Sequence, residues 1–147
     1  MRLLCLGVIA MILQYANLPE DDSEDEVTRT IYSNAFDNEY ISDILLSDLM
    51  KSPAWQDNAD NPPISARRAI QLAGQMRRTL FKDNEDYHWQ LYAAEIGFGR
   101  NRRCWWDVHF LARSTTGGSG VPDDLHVIVL MDGTVLKPKV SSKKAGE

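Results

Sequence analysis

The chain has 147 residues, 44% of them apolar and 25% charged, with a formal net charge of −5, a composition that fits one compact globular domain. No repeat or compositional bias marks a collagen, a coiled coil or a mucin-like stalk. No apolar stretch approaches the ~18 residues that a membrane span needs.

Residues 1–13 read MRLLCLGVIAMIL, with Arg2 as the only charge. Eleven uncharged residues match the hydrophobic region of a signal peptide and about half of a span. A buried helix would be amphipathic, whereas this run is apolar all round. We read residues 1–16 as a signal peptide, ahead of a buried helix or a mis-assigned start. The protein is then exported, to the periplasm or the cell exterior, and keeps no stable membrane span once the signal is removed. Gln14 fits the cleavage site at Ala16 poorly. Cys5 would leave with the signal, so Cys104 would stand alone and form no intramolecular disulfide. Cys104 is expected as a small buried apolar residue rather than a nucleophile.

Residues 17–61 carry twelve acids and only two bases, Arg29 and Lys51. Residues 20–26 hold six of those acids. Such a run repels itself and cannot be buried, so it reads as solvated and disordered. It lacks the alternation and central glycine of a calcium loop. Within this segment Ile41, Ile44, Leu45 and Leu49 form one stripe at helical spacing, which predicts a helix over residues 37–51. Pro53 ends it. Residues 53–63 form a turn-rich linker, with Trp55 expected to plug onto the domain.

The second helix begins at the Ser65 cap after Pro62-Pro63 and runs to about Leu80. Ala66, Ala69, Ile70, Ala73, Met76 and Leu80 make its narrow apolar stripe. Strands are expected over residues 88–98, with an irregularity before Ile96, and over 103–112. A glycine-rich loop at 113–124 leads to a third strand over 125–131. Asp132-Gly133 is a strong hairpin turn. A fourth strand over 134–140 would lie at an edge, because Pro138 cannot donate to a ladder. Residues 141–147 are expected to fray. The fold class is therefore α+β: one main helix packed on a three- to four-stranded antiparallel meander, with an extra N-terminal helix. Its division is a signal at 1–16, an acidic, partly disordered segment at 17–61, a domain at 62–140 and the tail. The core should hold Ile70, Ala73, Trp106, Val108, Phe110, Val127 and Val129.

The stretches NPPISARRAIQLA, CWWDVHF and VIVLMDGTVLKP, with a Trp-bearing strand between the first two, resemble the PepSY-like and cystatin-like helix-on-sheet modules of small exported bacterial proteins. The resemblance covers about residues 61–140 and its motifs are structural. It implies a helix across an antiparallel meander, and an association with propeptides or peptidase inhibition. No inhibitory residue carries over, because the turn here is Gly97-Phe98-Gly99-Arg100-Asn101 rather than a Gln-Val turn.

Arginines cluster as the pairs 67–68 and 77–78 and the trio Arg100, Arg102 and Arg103. The second half is only mildly basic and the first would repel phosphate, so no nucleic-acid partner is expected. No phosphate loop and no Gly-x-Ser-x-Gly elbow occurs. Asp107 and His109 lie two apart on one strand face, with Glu95 on the neighbouring strand. These three could serve a small metal-dependent or acid/base hydrolase. The favoured reading is instead a non-catalytic interaction module, without cofactor, metal or catalytic residues. Its expected surface is Trp105, Asp107, His109, Leu111, Ile128 and Leu130, the second face of the sheet. That face is too apolar to meet water. The helix near residues 41–49 could cover it, but a partner is favoured: an envelope or secreted protein, or a second copy of the chain.

Overall fold

The computed structural model describes residues 25–83, 85–117 and 122–142. The proposed signal at 1–16, acidic residues 20–24, loop residues 118–121 and tail residues 143–147 lie outside the described residues. Among the described residues the fold is α+β, with two antiparallel three-stranded sheets and two α-helices. One sheet joins β1 (Val27–Ala35), β2 (Asn38–Leu45) and β6 (Lys139–Ser142) in the order β1-β2-β6. The other is a meander of β3 (Tyr87–Phe98), β4 (Cys104–Ser114) and β5 (Asp123–Leu130). Helix α1 (Leu46–Lys51) follows β2, and α2 (Ala66–Leu80) precedes the meander.

Helix α2 forms as its sequence suggests. Ser65 Oγ accepts the backbone N–H of Arg68 at 3.3 Å, which satisfies one orphan donor of the first turn. Ala69 and Ala73 are fully buried, and their small side chains let α2 sit close over β4 and β5. Beneath it lie Trp106, Val108 and Phe110 of β4 and Leu125, Val127 and Val129 of β5. Six of the seven expected core residues are buried there, and Ile70 is half-buried against them. Cys104 shares this layer, and burial pushes its thiol pKa up; a protonated thiol is a poor nucleophile.

The segment over residues 37–51 is not one helix. Residues 38–45 form β2 and only Leu46–Lys51 is helical. The apolar spacing there satisfies two periods at once. Ile41, Ile44, Leu45 and Leu49 fit a helix, while Tyr40, Ser42 and Ile44 alternate inward as a strand requires. Tertiary pairing decides between them: β2 runs antiparallel to β1, from Ala35↔Asn38 back to Val27↔Leu45. The turn residues Phe36 and Asp37 both adopt positive φ, 48° and 63°, as a two-residue hairpin turn demands. Phe36 is held in that rare conformation by its ring, which packs against Phe81, Tyr87 and Trp89. Residues 27–51, expected to be partly disordered with a helix, therefore supply two strands and one short helix.

The predicted fourth strand also differs. After the Asp132-Gly133 turn, only Val135 bridges back to β5, at Val129. The chain then passes Pro138 and pairs in the other sheet, as β6 against residues 38–41 of β2. Lys139 Nζ donates to Asp43 at 2.9 Å, and Thr30 Oγ1 donates to the same carboxylate at 2.8 Å. These contacts, Lys139 first, hold the Asp43 pKa below the usual carboxylate range.

The second face of the meander is covered by the chain itself. Trp105, Ile128 and Leu130 are buried with Ile44 and Leu49, and Ile31 and Leu136 pack beside them. The favoured expectation of a partner on this face is thus corrected for its apolar half. The β1–β2 hairpin and α1 cover it, so Trp105, Ile128 and Leu130 are not surface residues.

Candidate functional site

The other half of the covered face is polar. Asp107 and His109 project from β4 on the Trp105 side of the sheet, because alternate residues of a strand share a face. The register pairs His109 directly with His126 of β5 and places Asp124 two residues before it, on the same face. The two imidazoles stack with centroids 4.0 Å apart and planes at 15°. Asp107 Oδ1 lies 2.8 Å from His126 Nδ1. An Asp124 carboxylate oxygen lies 3.8 Å from His126 Nε2.

Strand β1 closes this cluster from the hairpin side. The His126 backbone N–H donates to the buried Ser33 Oγ at 2.8 Å. The backbone N–H of Asn34 donates to Asp124 Oδ1 at 3.1 Å, and that of Phe36 to Asp123 Oδ1 at 3.1 Å. One oxygen of Asp124 is thereby anchored to β1 while the other faces the histidines. The exposed Tyr92 ring stands edge-on to His109 at 5.0 Å.

The histidines titrate in opposite senses. Burial and the neighbouring His126 lower the pKa of His109, against the pull of Asp124, Asp107 and Glu95. Burial also opposes a charged His126, but the Asp107 hydrogen bond and charge outweigh it and leave its pKa raised. His109 Nε2 is buried without a hydrogen-bond partner. The ligand atoms of His109, Asp124 and His126 all lie within 4.8 Å of one another.

Of the sequence-derived candidates, Asp107 and His109 do come together. Glu95 pairs with Asp107 in the β3–β4 register but stays exposed, outside the converging trio. Leu111 is half-buried opposite Asp124. Sequence reading missed His126 and Asp124 as members, along with Ser33. The available signal was the two-residue spacing of Asp124 and His126, which puts both on one face once the strand is drawn.

A second region stands out at the meander's free edge. Among the described residues, strand β3 has a neighbour on one side only, and α2 lies over β4 and β5 rather than over it. Leu91, Tyr92 and Phe98 are exposed along it. Between β3 and α2 runs an open cleft of mixed polarity, with Ile70, Trp89 and Leu91 among its apolar lining and Gln71, Gln75 and Arg78 among its polar lining. A register irregularity between Leu91 and Ala93 leaves Tyr92 out of the ladder.

No protein-family profile, curated protein or solved structure matches the chain. Among the described residues, no helix is long and apolar enough to cross a membrane.

Proposed function

We propose that the protein is a non-catalytic, extracytoplasmic interaction module that binds an extended polypeptide segment along β3. The observation that carries this reading is the free β3 edge among the described residues, with Leu91, Tyr92 and Phe98 exposed along it and, at Leu91, a cleft against α2 lined by both apolar and polar side chains. An edge strand presents unpaired backbone donors and acceptors, and pockets beside it select alternate side chains of an added strand. The exposed Arg78 at the cleft favours an acidic residue in the segment bound. This surface replaces the one expected around Trp105, Ile128 and Leu130.

A photoreactive side chain at Leu91, compared with one at the solvated Arg68 of α2, tests the proposal in the native host. A polypeptide adduct from position 91 alone is expected. No adduct, or equal adducts at both positions, would sink it; an adduct of twice the chain mass would reassign the site to self-association. Export rests on the apolar run at residues 3–13. The intact mass of the protein from its host should lack about the first 16 residues, and retention of Met1 would refute export.

A further inference from the structure

We propose that His109, Asp124 and His126 bind one divalent transition-metal ion of the zinc class, with Asp107 orienting His126. Two imidazoles and one carboxylate form a donor set that suits zinc, cobalt or nickel and disfavours calcium and magnesium, which prefer all-oxygen shells. Their ligand atoms already lie within 4.8 Å of one another. Bonds of about 2.0–2.2 Å to a tetrahedral ion bring donors to roughly 3.4 Å apart. The remaining closure of an ångström or so lies within the reach of side-chain rotation, with the backbone fixed by the β4–β5 ladder.

Three further features point the same way. His109 Nε2 is buried without a hydrogen-bond partner, a costly state for a polar atom unless something fills it. Asp107 engages Nδ1 of His126, which leaves Nε2 as the ligand atom and reproduces the carboxylate–histidine pairing common behind metal ligands. Asn34 fixes one oxygen of Asp124 and leaves the other facing Nε2. Cys104, the one cysteine among the described residues, lies in the layer beneath α2, on the opposite face of the sheet, so its thiolate does not contribute. Three protein donors leave a fourth position for water or a ligand from a partner.

Full-length protein without an affinity tag, stripped with a chelator, is titrated with Zn²⁺ by calorimetry and with Co²⁺ by visible absorption. One ion per chain is expected, with cobalt d–d bands and no thiolate charge-transfer band. Asp107→Asn should weaken Zn²⁺ binding about 10–100-fold, His109→Gln and Asp124→Asn more, and the exposed His88→Gln not at all. Absence of stoichiometric binding by the natural sequence overturns the proposal, as does binding that survives both His109→Gln and Asp124→Asn. If those variants fail to fold, carbethoxylation of the natural sequence decides. Zn²⁺ protection of His109 and His126 but not His88 supports the site, and equal modification of all three overturns it.

Discussion

Trp105→Ala is expected to destabilise the protein by about 3–5 kcal/mol, the range for truncating a buried Trp. The indole is 2% exposed and sits between the meander and the β1–β2 hairpin, against Ile44, Leu49, Ile128 and Leu130. Nothing can collapse into the space it leaves, because strands hold both walls. Gly97 of β3 makes the fit tighter still. A Cβ there would stand 2.4 Å from the indole ring, so the backbone of β3 lies directly on the Trp105 face. A domain of this size has only ~5–15 kcal/mol in hand, so the variant should melt far below the natural protein or not fold at all. An unchanged midpoint in chemical denaturation would mean that Trp105 is not enclosed as described.

Removing everything before Pro62 should have an effect at least as large. A chain beginning there loses β1, β2 and α1, and with them the cover over Trp105, Ile128 and Leu130. Each such side chain gains about 1.5–3 kcal/mol from full burial, so most of the domain's margin disappears together. The buried Ser33 partner of His126 and the Asn34 and Phe36 partners of the β5 aspartates go too. β6 also loses β2, the strand it pairs with. The shortened chain is expected to bind a hydrophobic dye and to self-associate in light scattering. A dye-silent, soluble monomer would show that the hairpin is dispensable to the domain.

Much of the α2–meander unit is legible in the sequence because each signal there has one interpretation. Ser65 after two prolines starts a helix, the alanine stripe selects its buried face, and Asp132-Gly133 turns the chain. The alternation in CWWDVHF fixes which side chains of β4 face α2. The hairpin is less legible. VTRTIYS is rich in strand formers, yet it follows an acidic run, and the turn that pairs it is Phe36-Asp37 rather than the familiar Asn-Gly type. In β2 Ile41 and Ile44 lie at helical spacing while Tyr40, Ser42 and Ile44 alternate inward as a strand, and only β1 and β6 on either side decide between the two. The site was half legible for a related reason. Strand alternation gives Asp107 with His109, but the neighbour of His109 depends on the β4–β5 register. A loop spanning residues 115–122 does not specify that register by length or composition. Ser33, some ninety residues away in the chain, has no local signal at all.

The pairing of β6 with residues 38–41 of β2 also orders events in time. Sheet β1-β2-β6 unites residues near 40 with residues near 140, so it closes a loop of about a hundred residues. Such long-range closure is slow relative to local helix and hairpin formation. While the chain is being made, the β1–β2 hairpin can form early but has neither β5 to rest on nor β6 to complete its edge. Until residues 139–142 emerge, the β2 edge remains a sticky strand, open to pairing with other chains. Strand β6, the final strand among the described residues, therefore acts as the clasp that closes this edge against aggregation.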